Sequence, residues 1–312
     1  MGAVTVRLLD KLLHRGDAES PLCFYDVLHR RWINLTPGQH LAVIGVTGAG
    51  KSALIGGILT NLEAYVTSGE AVIYGIDLKQ GIELNRYGGY IRQVASTLEQ
   101  TVELLRTLND EMDRRARILL DGYRNQTETS RDMPMILVIV DEAAELTGAT
   151  DKALKQLQEE ARNLLDRILR LGRALGFTAV LASQDPRKES LSLRDRCPVR
   201  LGLRLNSREE TGMALGDTAI RAGAACWLIG IRQPGTGYMF DADTGRVLRF
   251  RTPTPMSDEE LARLRARHPR IDVAHATGQG CRADAAGDMG EPQAMEATTM
   301  GTASPEQRLA DR

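Results

Sequence analysis

From His40 onward the chain alternates short, dense apolar runs with longer stretches in which apolar residues recur every three or four positions. The dense runs are LAVIG (41–45), EAVIYGID (70–77), MILVIVDE (135–142) and FTAVLAS (177–183), followed by the alternating VRLGLRL (199–205). Runs of this length, rich in β-branched residues and ending in glycine or acids, predict strands buried on both faces. Between them, Leu98, Val102, Leu105, Leu108, Met112 and Leu119 mark one helical face over 98–120. Leu154, Leu157, Ala161, Leu164, Leu165 and Ile168 mark another over 151–171. Strands alternating with helices predict an α/β fold around a mostly parallel central sheet flanked by helices. CWLIGI (226–231) and RVLRF (246–250) predict two later strands in a more exposed, antiparallel part.

The two ends break this pattern. Residues 6–15 suit a short amphipathic helix, and 21–39 read as extended pieces with a turn at Pro37-Gly38. SDEELARLRAR (257–267) predicts a helix with Ser257 as its N-cap and Glu260 three residues on. Beyond Pro269 large apolar residues almost vanish, so 269–312 is expected to be disordered, and its removal to leave folding intact. The chain thus divides into a lead-in (1–39), a patterned α/β domain (40–255) and a helix with a tail (256–312).

Composition narrows this only a little. The 312 residues include 40 basic and 41 acidic side chains, so no global positive charge advertises a nucleic-acid partner. Cys23, Cys197, Cys226 and Cys281 lack metal-ligand spacing, as do the five histidines, and read as ordinary reduced thiols. No run of 18 apolar residues is present, and the first residues do not form a signal peptide. A cytoplasmic location is expected, with recruitment to the inner face of the membrane by a partner.

Chemistry enters at 45–52. GVTGAGKS fits G-x4-G-K-[ST], with a strand before it and a helical stretch after it. Backbone N–H groups of Gly45, Val46, Thr47, Gly48, Ala49 and Gly50 are expected to cradle phosphates, with Lys51, Ser52 and Ala53 opening the helix that points its positive end at them. Lys51 would reach the β- and γ-phosphates of ATP, and Ser52 would bind magnesium. Asp141-Glu142 closes the strand 135–140, at the end of a parallel sheet where ligands collect. Asp141 fits the magnesium carboxylate and Glu142 the base that polarises the attacking water. A plainer reading, acids gathered at a helix start, leaves unexplained why β-branched residues dominate the run before them. Gln184 ends the strand 177–183 and is a candidate γ-phosphate sensor.

The order of these elements resembles the FtsK/SpoIIIE-type DNA-pumping ATPases from about His40 to Gly237. Asp77, Lys79, Glu83, Leu84 and Tyr87 match that family's second-strand motif; Glu111, Met112 and Arg115 match its Glu-Met-x-x-Arg helix; 133–146 and 171–186 match its acidic and sensor segments. Two positions depart from the pattern. Asp185 stands where an arginine commonly follows the sensor, and Glu210-Thr211-Gly212 where Asp-Ser-Arg is frequent. The resemblance implies a RecA-like P-loop NTPase motor, a magnesium-dependent ATPase working as a hexameric ring on double-stranded DNA. In its short, divergent architecture the chain resembles plasmid and mobile-element transfer ATPases of high-GC Gram-positive bacteria. With no evident arginine in the same subunit, the resemblance points to one supplied by the neighbour, Arg173 first and Arg208 second. Protein-export ATPases with the same kind of active site are the rival reading, and a nucleotide-binding scaffold the third.

Overall fold

The computed structural model describes residues 23–29, 31–186, 191–252 and 256–269; the amphipathic stretch at 6–15 and nearly all of the tail lie outside them. The strands are β1 (Cys23–Asp26), β2 (Arg31–Asn34), β3 (Leu41–Ile44), β4 (Ala71–Ile76), β5 (Gln93–Ala95), β6 (Met135–Val140), β7 (Phe177–Ser183), β8 (Val199–Gly202), β9 (Thr236–Asp241) and β10 (Arg246–Arg251). The longer helices are α1 (Lys51–Asn61), α2 (Leu98–Asp121), α3 (Lys152–Leu171), α4 (Arg208–Leu215) and α5 (Asp258–Arg267). All ten strands join one sheet in the order β2-β1-β10-β9-β8-β3-β7-β6-β4-β5. From β8 to β5 the pairs are parallel, and from β8 to β2 antiparallel. This is a RecA-like P-loop NTPase fold, a mostly parallel central sheet flanked by helices.

Strand alternation sends side chains into two separate cores. In β6, Met135, Leu137 and Ile139 enter one, together with Leu54, Ile58 and Leu59 of α1 and Leu261 and Leu264 of α5. Ile136, Val138 and Val140 enter the other, with Leu105 and Met112 of α2 and Ala161, Leu165 and Ile168 of α3. Every residue of β3, β6 and β7 is buried, which is why these strands read as continuous apolar runs. Helix starts follow local chemistry. The Thr97 side chain accepts from Gln100 N–H, Asp151 from Ala153 and Leu154 N–H, and Ser257 forms a complete capping box with Glu260.

One expectation from the sequence needs correction. CWLIGI is not a strand: Cys226–Leu228 form a 3-10 turn. Cys226 is buried against the backbone of Gly202, its thiol 3.3 Å from the Gly202 carbonyl, while Leu228 and Ile231 are exposed. A short apolar run carries no periodicity that separates the two conformations. The strand that does pair with β8 is β9, whose Gly237 hides it from a β-propensity reading. A Cβ at Gly237 would stand 2.6 Å from the Phe250 ring, so the close approach of β10 requires glycine. The extended pieces expected within 21–39 are β1 and β2, which join the same sheet through β10. Cys197 and Cys226 are buried free thiols.

Arg115, in the Glu-Met-x-x-Arg stretch, is structural. It is fully buried, donates to the carbonyls of Leu175 and Pro134 at 2.9 Å each, and pairs with Glu111 at 2.8 Å. Its guanidinium also lies over the Phe177 ring, 5.1 Å from the centroid. It therefore locks α2 to the chain entering β6 and β7. Arg115→Met keeps the stem but strands two buried carbonyls, so it should cost about 2–4 kcal/mol. A urea-unfolding midpoint is the measurement; a loss under about 0.5 kcal/mol, the level of an ordinary surface change, would refute the role.

Candidate nucleotide-binding and hydrolysis site

Three adjacent parallel strands, β3, β7 and β6, end side by side, and each ends on a residue singled out in the sequence. The loop after β3 holds 45–52, β7 runs into Gln184, and β6 into Asp141 and Glu142. Strand β7 lies between the phosphate-loop strand and the acidic strand. Gln184 thereby sits between the loop and the acids, in a crevice at the carboxyl ends of the strands where α/β sheets bind ligands.

The loop has the backbone its sequence demands. Gly48 and Gly50 have φ of +73° and +104°, which side-chain-bearing residues rarely adopt. A Cβ at Gly50 would also collide with the backbone of Gly235, whose N–H donates to the Ala49 carbonyl at 2.8 Å. Around Gly48 no atom lies within 4 Å of a built Cβ, so this part of the loop opens outward. Helix α1 starts at Lys51 with no side chain capping its first N–H groups, leaving those donors to an anion. The Lys51 ammonium donates to the Gly45 carbonyl at 2.6 Å, within the loop. Burial above all holds its pKa down at about 8, Lys79 adding to that while Glu142 and Asp141 oppose it.

Glu142 is buried and held at both oxygens. The Gln184 N–H donates to Oε1 and Oε2 at 3.1 and 3.2 Å, and the Lys79 ammonium lies 3.2 Å from Oε2. The Thr47 hydroxyl donates to Gln184 Oε1 at 2.8 Å, so a continuous chain of contacts runs from Glu142 through Gln184 to the phosphate loop. Lys79 is presented by a turn built on buried Asp77. One carboxylate oxygen of Asp77 accepts from Lys79 N–H, the other from Glu83 and Leu84 N–H. The matched second-strand motif therefore delivers an ammonium group to Glu142.

Asp141 is half-buried beside the Asp77 and Glu83 carboxylates. Burial first, then those charges, push its pKa up to about 6, against the pull of Lys79. A carboxylate so disfavoured in its charged form is well matched to a divalent cation. Among the described residues no three His, Cys, Asp or Glu side chains cluster to hold a metal. Magnesium does not need such a cluster, since it keeps waters and takes one or two protein oxygens beside substrate phosphates. The Ser52 hydroxyl, exposed at the start of α1, and Asp141 fit that donor set.

Within one subunit Arg173 stands apart from this constellation. It precedes β7, at the opposite end of that strand from Gln184, and ~20 Å of strand separates the two ends. It is exposed and pairs with Asp243 at 3.3 Å. Arg208 opens α4, its guanidinium 5.7 Å from the Trp227 ring centroid. The sequence reading missed Arg204. Its guanidinium donates to the Thr47 carbonyl at 3.2 Å, so an arginine of the same subunit does stand at the loop. The available signal was its place beyond a parallel strand, but only the strand order puts β8 beside β3.

The model of the FtsK/SpoIIIE family matches residues 28–132. The DNA translocase FtsK of Staphylococcus epidermidis is 30% identical over 218 residues, covering 64% of this chain and 26% of that protein. Among solved structures, the pCW3 conjugation coupling protein TcpA with ATPγS has a TM-score of 0.65 at 21% identity, covering 78% of this chain and 69% of that one. The cytoplasmic domain of the type VII secretion ATPase EccC from Thermomonospora curvata has a TM-score of 0.57 at 24% identity, covering 80% and 31%. The fold is shared with these ATPases. The likeness in fold extends to a conjugation coupling protein and to a type VII secretion ATPase. The chain spans about a quarter of the length of the curated relative it matches at 30% identity.

Proposed function

We propose that this chain is the magnesium-dependent ATPase motor of a DNA translocase, acting as a ring, with six subunits the expected number, on double-stranded DNA. The observation that carries the reading is the convergence of the phosphate loop, Glu142 and Gln184 at the carboxyl ends of three neighbouring strands. In this reading Lys51 and the backbone of 45–53 bind the ATP phosphates, and Ser52 and Asp141 hold magnesium, which neutralises phosphate charge when bound. Glu142 takes the proton of the attacking water, and Gln184 links that base to the terminal phosphate. Lys79 orients the carboxylate of Glu142. The matched relative is named a DNA translocase and the TcpA structure is a conjugation coupling protein, which supports DNA as cargo and a role in plasmid or mobile-element transfer. The likeness to EccC supports the alternative, a motor for exported proteins.

No helix among the described residues is long and apolar enough to cross a membrane. A cytoplasmic motor recruited by a membrane-anchored partner is the arrangement we propose. The test is the steady-state ATPase rate with and without long duplex DNA across a salt series, beside a sizing measurement on the same samples. DNA should raise the rate several-fold at low salt, and the stimulation should fall steeply as salt rises, because contacts to phosphates release counterions. A monomer indifferent to DNA at low salt, with intact basal turnover, would move the assignment to protein export.

A further inference from the structure

Arg204 stands one residue beyond Leu203, on the chain leaving β8, and β8 flanks β3 on the side away from β7. The pairing of these strands continues past their regular ends. Leu203 N–H donates to the Ile44 carbonyl at 2.8 Å, and Val46 N–H to the Arg204 carbonyl at 3.1 Å. On the other side Gly45 N–H donates to the Ser183 carbonyl at 3.2 Å. The first half of the phosphate loop is thus zipped between two neighbours, and Thr47 is the first residue free of both ladders. Its side chain reaches Gln184 and its carbonyl receives the Arg204 guanidinium.

That position ties Arg204 to the loop residue that also contacts Gln184. Water attacks the terminal phosphate, so the base Glu142 marks the terminal end. The chain of contacts Glu142–Gln184–Thr47 carries that end to Thr47. The Thr47 carbonyl that holds Arg204 thus belongs to the same residue whose hydroxyl joins the loop to Gln184 and Glu142. Among the described residues no carboxylate pairs with Arg204, and its guanidinium is half-exposed, with one neutral carbonyl as hydrogen-bond partner. Exchange of that carbonyl for a charged phosphate oxygen makes a stronger, charge-assisted bond, to which the planar guanidinium is suited.

We propose that Arg204 is the arginine of this nucleotide site in the same subunit, moving from the Thr47 carbonyl to the γ-phosphate when ATP binds. The proposal rests on the reading of 45–52 as an ATP loop. A guanidinium at the terminal phosphate favours ATP over ADP and stabilises charge that develops as the β–γ bond breaks.

Two measurements test it. The first is binding of ATPγS and of ADP to the wild type, Arg204→Ala and Arg204→Gln; glutamine keeps an amide donor but carries no charge. Both variants should lose ATPγS affinity by about 10-fold or more while ADP affinity changes less than about 2-fold. Equal losses for both nucleotides would mean that Arg204 only anchors the loop, and no loss would mean that it stays on Thr47; either overturns the proposal. The second is subunit mixing. Arg204→Ala should cut turnover by about 10²-fold. Mixing it with Glu142→Gln subunits should restore nothing, because every site then carries one defect. Recovery of activity in the mixture would show that Arg204 serves the neighbouring site and would overturn the same-subunit assignment. If the wild type hydrolyses no ATP with or without DNA, the motor reading fails, while the ATPγS-to-ADP ratio still decides the role of Arg204.

Discussion

Lys51→Ala should abolish ATP turnover and weaken ATP binding by at least about 10²-fold, the largest effect expected of any single change here. The lysine is already inside the loop, donating to the Gly45 carbonyl at 2.6 Å, with burial depressing its pKa to about 8. The protein thus holds a partly desolvated ammonium against a neutral carbonyl. A triphosphate supplies the counter-charge that this group lacks, and the interaction is strong because little water remains to screen it. Alanine leaves the N–H groups of α1 in place, so residual weak binding is expected. Equilibrium binding of ATPγS and a steady-state phosphate-release assay measure the two effects. Near-normal turnover in the variant would remove the phosphate-loop assignment.

The second large effect separates the two adjacent acids. Glu142→Gln should leave ATP binding within a few-fold of the wild type and cut hydrolysis by about 10²-fold or more. Glutamine keeps the shape of the side chain and one acceptor for the Gln184 N–H, but it cannot take a proton from water. Asp141→Asn should instead weaken nucleotide binding that depends on magnesium, with little effect on binding measured in a chelator. The contrast follows from their surroundings. Glu142 is buried and gripped by Gln184 and Lys79, whereas Asp141 faces the Asp77 and Glu83 carboxylates and gains most from a divalent cation. Single-turnover hydrolysis, with binding titrated in magnesium and in chelator, reads both. Equal, small effects on hydrolysis from the two variants would refute the division of roles.

Much of the site was legible in the sequence because its residues are tied to local backbone features. The loop 45–52 needs glycines at Gly48 and Gly50 for their positive φ, and those spacings survive in any context. Asp141 and Glu142 follow a strand whose two faces are both buried, so an unbroken apolar run marks their place. The capping box at Ser257 and Glu260 is likewise a contact between neighbours in the chain. For the same reason the five strands read between 41 and 205 and the helices α2, α3 and α5 appear where periodicity put them.

What tertiary structure alone decided depends on contacts between distant segments. Sequence could not order the strands, so it could not place β7 between β3 and β6, or β8 on the other side of β3. Those two neighbours bring Gln184 to the Thr47 side chain and Arg204 to its carbonyl, over separations of 137 and 157 residues. The same blindness misread CWLIGI, because its anchoring under Gly202 rather than its composition fixes its conformation. It also left Arg115 as one more helical arginine, although its two carbonyl partners, Leu175 and Pro134, lie in other segments and make it part of the core. Local chemistry specified the glycine-rich loop and the acids; the long-range hydrogen-bond ladder specified that Gln184 and Arg204 meet at that loop, since strand pairing leaves no short-range trace in the chain.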